Sequence, residues 1–130
     1  MALDFPPAAL DFARAHRNSV VATCEDGQPW CRVMWVAEAA DDFTLYYATF
    51  ASSNKVRQLR ANPRTCASFY ADSQDLRVFG QGEILTDPET KQRIWREEYR
   101  QYFKDGPGDP EYCVLRLSVD RVDYEEFSVE

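Results

Sequence analysis

The strongest constraint on the fold is the way the apolar runs are joined. Ser19 to Glu25 (SVVATCE) and Trp30 to Ala37 (WCRVMWVA) read as two strands, and Asp26-Gly27 lies between them. Glycine reaches positive φ at no steric cost, so this pair marks a tight hairpin. Strand patterns return at Phe43 to Thr49 (FTLYYAT), Thr65 to Ala71 (TCASFYA) and Leu76 to Leu85 (LRVFGQGEIL), then at Tyr112 to Val119 (YCVLRLSV) and Arg121 to Phe127 (RVDYEEF), the last two separated only by Asp120. Gly80 and Gly82 inside a strand pattern predict a bulge, a bend or a close backbone approach, hence a long curved strand. Parallel neighbours need long crossovers, whereas most of these runs are linked by short turns. The chain is therefore predicted to be mainly β, with about six or seven antiparallel strands in a barrel or sandwich.

Three helices are predicted around the strands. Pro6 and Pro7 precede AALDFARAH, a short amphipathic pattern with proline in its first turn. Asn54 to Ala61 is helical and is stopped by Asn62-Pro63. Thr86-Asp87-Pro88-Glu89 starts a third helix, Pro88 to Phe103, because it offers a cap, a proline at the first position and a first-turn carboxylate. Trp95, Tyr99, Tyr102 and Phe103 share one stripe of that helix, with Ile94 beside it. The stripe is expected to be core or interface, with Lys91, Glu97, Glu98, Arg100 and Gln101 on the opposite, solvated face. Gly106, Pro107, Gly108 and Pro110 predict a rigid exposed loop. A length of 130 residues fits one domain spanning 1–130.

Composition removes several functional classes. With 22 acidic against 15 basic residues the net charge is -7, which repels nucleic acid phosphates, and no basic block stands out. No apolar run is long enough to span a bilayer, and MALDFPPAALDF lacks the basic start and apolar stretch of a signal peptide. A cytoplasmic protein with no membrane partner is expected. His16 is the single histidine and GxSxG is absent, so a Ser-His-Asp hydrolase and a histidine-rich metal site are both disfavoured. GxGxxG and GxxxxGK[ST] are absent too. Cys24, Cys31, Cys66 and Cys113 form no CxxC and lie in apolar strand-like segments, so buried, reduced thiols are expected. Cys24 and Cys31 flank the hairpin turn and could face each other across it. The carboxylate pairs Asp41-Asp42, Glu97-Glu98 and Glu125-Glu126 read as solvated charge.

One segment carries candidate chemistry. Thr49 to Leu59 (TFASSNKVRQL) leaves a strand and enters a helix through two serines, an asparagine and a lysine. First-turn N–H groups lack intrahelical partners and favour anions. Thr49, Ser52 and Ser53 add hydroxyl donors and Lys55 adds a charge, which together suit a phosphate seat. The same residues also suit an ordinary serine cap with a solvated lysine. Arg32, Lys55, Arg57 and Arg60 lie in one part of the chain. If the first three strands and the helix form a meander, Arg32 to Trp35 lies beside Ala48-Thr49, and a flat ring could run along Val33-Met34-Trp35.

RVMWV, LYYAT, SSNKVRQLRANPR, VFGQGEIL, DPE and YCVLRLSVDRVDY, in this order and spacing, resemble the FMN-binding split barrel of the pyridoxamine 5'-phosphate oxidase-like superfamily. The resemblance covers Ser19 to Tyr124, and within the superfamily the chain is most similar to the short general-stress-protein type. It implies an antiparallel split β-barrel, a homodimer, and an FMN held at the dimer interface for redox chemistry on a small molecule. It further implies that Arg32 and Lys55 contact the phosphate, that Thr49 and Ser53 donate hydrogen bonds to it, and that Val33, Met34 and Trp35 line the isoalloxazine ring. Asn54 stands where the vitamin-B6 oxidases have arginine. The chain also ends at Glu130, without their C-terminal arginine and histidine, so vitamin-B6 oxidation is not expected. Three alternatives stay open. The barrel could hold flavin without turnover, or a deazaflavin, or it could serve as a cofactor-free scaffold dimer; haem is disfavoured by the lone histidine.

Overall fold

The computed structural model describes residues 3–126. The elements are α1 (Pro7–Ala15), β1 (Asn18–Glu25), β2 (Gln28–Trp35), β3 (Glu38–Ala39), β4 (Leu45–Phe50), α2 (Asn54–Ala61), β5 (Arg64–Ala71), β6 (Gln74–Leu85), α3 (Pro88–Ile94) and β7 (Tyr112–Glu126). Two 3₁₀ turns, Glu97–Gln101 and Gly106–Gly108, lie between α3 and β7. All strand pairs are antiparallel, in one sheet of order β2-β1-β5-β6-β7-β4-β3. This is the expected mainly β architecture, a split barrel. Phe127, the predicted end of the last strand, lies outside the described residues.

The tight hairpins follow from local chemistry. Asp26 and Gly27 both have positive φ (51° and 79°), as do Asp72 and Ser73 (51° and 63°), and each pair joins its strands in a two-residue loop. Two consecutive positive φ values match the right-handed twist of the flanking strands. Cys24 faces Pro29 and Cys31 faces Ala22, so the two thiols do not oppose each other. Cys113 is buried and Cys24 and Cys66 are half-buried, but Cys31 is exposed, contrary to the expected burial, because its strand turns that face outward.

Five expectations are corrected where distant contacts outweigh local pattern. The strand expected from Phe43 starts at Leu45: Phe43 takes φ 73° and sends its buried ring against Phe5, edge to face at 5.0 Å. The two final strands are one. The register passes from Phe79↔Arg121 to Gly80↔Val119, so Asp120 is the extra residue of a bulge rather than a separator. The long third helix stops at Ile94. Trp95 turns extended (ψ 139°) and packs on Tyr112 at 5.3 Å, while Arg96 reaches the carbonyl of Ala37 at 2.9 Å. The stripe divides accordingly, with Tyr99 and Phe103 in a core with Ile94, Tyr112 and Val114, and Tyr102 facing out. Lys91 is not on a solvated face. It is buried, donates to the Asp109 carbonyl at 3.1 Å and sits 5.4 Å from the Tyr112 ring centroid. The loop after it is only partly exposed, since Gly106 is buried.

Val21, Leu45, Tyr47, Phe69, Leu76, Val78, Leu115 and Leu117 fill the barrel, with Leu10 and Phe12 of α1 packed among them. The sheet closes on itself near its ends. Ala37, just after β2, donates its N–H to the Tyr46 carbonyl of β4 at 2.8 Å. Inside, Ser19 of β1 bonds both the Met34 carbonyl at 2.9 Å and the Tyr47 hydroxyl at 3.0 Å. Burial pushes the Tyr47 hydroxyl well above its ordinary pKa, so it stays neutral. No helix among the described residues is long and apolar enough to cross a membrane.

Candidate functional site

A cleft of about 250 Å³ opens where the ends of β2 and β4 meet α2 and the first 3₁₀ turn. Val33, Met34, Trp35, Thr49 and Lys55 line it. The expected neighbours are brought together, but not by a meander. β2 pairs only with β1, and four strands stand between β2 and β4 in the sheet. Barrel closure supplies the contact instead. As an edge strand, β2 keeps one row of backbone groups free of sheet pairing. Its side chains alternate, with Val33 and Trp35 outward and Met34 inward.

Arg32 points inward with Met34 and stands beside the cleft rather than on its wall. Its Nη1 donates to Thr23 Oγ1 at 2.8 Å and to the Val21 carbonyl at 3.3 Å, and its Nη2 donates to Gln58 Oε1 at 3.1 Å. Thr23 Oγ1 in turn donates to the same Gln58 oxygen at 2.5 Å. On the other side, Lys55 Nζ donates to the buried Thr49 hydroxyl at 2.9 Å. Ser53 is the N-cap residue of α2 by backbone conformation, yet it makes no side-chain cap. Its hydroxyl turns back to the Phe50 carbonyl at 2.7 Å. Ser52 is held through both N–H and hydroxyl by the Glu111 carboxylate, which those bonds keep below its ordinary pKa. The serine pair therefore does not cap the helix, and its first-turn N–H groups keep their outward polarity.

The electrostatics single out two cations. Among the described residues neither Arg32 nor Lys55 forms an ion pair with a carboxylate, whereas Arg57 is paired with Glu25. Asn54 contributes no charge and accepts from Arg57 at 3.4 Å. Burial draws the Lys55 pKa down, and the charge of Arg32 pushes it further the same way; burial also lowers Arg32. Two partly desolvated cations, the one repelling the other and neither paired with a carboxylate among the described residues, favour an anion at this place.

Sequence reasoning missed two sets of residues. Phe50, Tyr99, Tyr102 and Phe103 add an aromatic wall to the cleft, with Phe50 tilted against Phe103 at 4.8 Å and edge to face with Tyr102 at 6.3 Å. The stripe of Tyr99, Tyr102 and Phe103 was visible, but its direction depended on the break at Trp95, and Phe50 carried no signal of its own. Thr23 and Gln58 were also missed. Gln58 is only 1% exposed, on the buried face of α2 beside Val56 and Leu59. A polar residue on an apolar helix face was the available signal.

A family model for pyridoxamine 5'-phosphate oxidase matches residues 5–126. Among solved structures, General Stress Protein 26 from Bacillus anthracis is similar at 24% identity and a TM-score of 0.77, over 88% of each chain. A protein related to general stress protein 26 from Clostridium acetobutylicum gives 24% identity and a TM-score of 0.82, over 92% of this chain and 86% of that one. A NimC/NimA family protein from the same organism gives 21% and 0.76, over 95% and 86%. These likenesses share the barrel. With β2, the Thr49 to Leu59 segment and all seven strands inside the matched span, the chain belongs to the pyridoxamine 5'-phosphate oxidase family.

Proposed function

We propose that the cleft binds FMN and that the chain is a homodimeric flavin oxidoreductase acting on a small molecule. The observation that carries this reading is the Arg32–Lys55 pair, two cations with no carboxylate partner among the described residues, beside the uncapped N-terminus of α2 in a chain of net charge -7. Arg32 and Lys55 hold the phosphate, and Thr49 and Ser53 donate to it once the Ser53 hydroxyl rotates off the Phe50 carbonyl. Val33, Met34 and Trp35 would flank the ring, and the unpaired backbone row of β2 would offer it hydrogen bonds. The aromatic wall excludes water from the opposite side. The flavin, when bound, supplies hydride or electron transfer, while the protein orients the ring and tunes it.

The size of the cleft favours a dimer. About 250 Å³ falls below the range of roughly 300–1,000 Å³ for small-molecule sites, so one protomer offers part of a pocket. Beside it, Val20 and Val33 pair on the outer face of the sheet and, with Trp35 and Tyr70, leave apolar surface exposed; Val33 is 71% exposed. A second subunit seated there covers that surface and completes the pocket.

The test is the visible spectrum of freshly purified protein, followed by FMN titration with fluorescence and thermal-shift readouts and by sedimentation. A flavin spectrum or saturable FMN binding, on a particle of twice the chain mass, is expected. Steady NADH or NADPH consumption then separates an enzyme from a carrier. Colourless protein with no response to FMN would refute the reading.

A further inference from the structure

We propose that Gln58 is a positioning residue of the phosphate seat, which it serves by fixing the guanidinium of Arg32. The two ends of the Gln58 amide are used unequally. Gln58 Oε1 accepts from both Arg32 Nη2 and Thr23 Oγ1, and Thr23 Oγ1 accepts from Arg32 Nη1, so three side chains form a closed ring of hydrogen bonds. The other end of the same amide, Nε2, is buried and has no hydrogen-bond partner among the described residues. A buried amide with one end unpaired gives the fold less than an apolar side chain of the same shape. The residue is therefore explained by its acceptor, and that acceptor serves Arg32.

Arg32 needs such a hold. It shares the seat with Lys55, whose charge repels it, and among the described residues it has no carboxylate to keep it there. Oε1 is neutral, so it orients the guanidinium while leaving its positive charge uncancelled for a phosphate. A glutamate in the same place would hold Arg32 equally well and neutralise it. Thr23 and Gln58 come from β1 and α2, so the guanidinium is set by two rigid elements rather than by the loop. A preset donor loses less conformational freedom when the anion arrives.

This inference rests on the phosphate-seat reading, and its test separates the two. In the full chain, Gln58→Met removes the acceptor, keeps the length and relieves the unpaired amide. FMN affinity should fall about tenfold, as for loss of one charge-assisted hydrogen bond, with riboflavin affinity within about twofold of the parent. In an Arg32→Met background the same change should cost nothing further. Equal losses for FMN and riboflavin, or a loss that persists without Arg32, would overturn the role. A second readout does not need flavin. The Arg32 Nη protons should give separate, slowly exchanging NMR signals in the parent and collapse in Gln58→Met, and unchanged signals would overturn the proposal even if FMN does not bind. If the parent binds no FMN, the functional reading fails while this measurement still decides the hold on Arg32. Should Gln58→Met not fold, Thr23→Val opens the same ring and is read in the same ways.

Discussion

Lys55→Met is the sharpest probe of the seat. Methionine keeps an unbranched stem and removes the ammonium, leaving the cleft wall in place. Two unit charges 4 Å apart attract by about 4 kcal/mol at an effective dielectric of about 20. Part of this is offset, because the phosphate and the half-exposed Lys55 ammonium both give up water when they meet. A hydrogen bond to a charged group keeps about 1.5–3 kcal/mol net, which corresponds to roughly 10- to 150-fold in affinity. FMN should weaken by that factor and riboflavin should not, since it lacks the phosphate. In the free protein two effects oppose each other: the Arg32–Lys55 repulsion disappears, and the buried Thr49 hydroxyl loses its donor. The thermal midpoint should therefore move by only about 3 °C or less. The assay is a pair of fluorescence-quenching titrations at one ionic strength, with exposed Lys104→Met as the control. If FMN and riboflavin fall together, or FMN falls no further than in Lys104→Met, Lys55 does not hold a phosphate.

Four further outcomes are expected. Inorganic phosphate binding should fade as pH rises through the depressed Lys55 pKa, before the ordinary 10.5 is reached, and Lys55→Arg should hold it level across that window. Over the same window the unfolded chain binds the extra proton, so stability of the free protein should rise with pH, as a denaturant series can check. Gly80→Ala drives a Cβ into the backbone carbonyl of Ser118 at the bulge and should cost about 3 kcal/mol or more in urea unfolding; a cost below 1 kcal/mol would mean the bulge yields freely. Val33→Asp should leave the protomer's far-UV spectrum intact, halve the sedimenting mass and lower FMN affinity, and an unchanged mass would remove this face as the dimer contact.

Most of the strands were legible because alternation and turn residues are local signals. Asp26-Gly27 states its own conformation, and Asn62-Pro63 ends α2 where expected. The sheet order was not legible, because short connections suggested a meander while the observed order puts β2 at one end and β4 next to the other. Asp120 looked like a turn between two strands, and only the pairing with Gly80 makes it a bulge inside one. The helical stripe from Trp95 to Phe103 obeyed a 3.6 period, but Trp95 and Arg96 gain more from Tyr112 and the Ala37 carbonyl than from continuing the helix. At the site, Val33, Met34, Trp35, Thr49 and Lys55 do converge, since the strand edge and the loop are both readable. Thr23 and Gln58 were invisible because their role exists only relative to the Arg32 guanidinium in space.

The separation of β2 from β4 within the sheet has a kinetic consequence. These two strands are near neighbours in the chain, yet their walls of the cleft face each other only after β5, β6 and β7 have been laid between them. No partly folded intermediate that lacks the later half of the chain contains the pocket. A ligand in the cleft thus acts as a clasp on the finished barrel, adding about 2.7 kcal/mol at a hundred times its dissociation constant, and it does so against global opening rather than local fraying. Amide exchange in β5 and β6, which lie far from the cleft in pairing order, should slow on ligand binding as much as exchange in β2. A ligand retained in the cleft would then report that folding has run to completion.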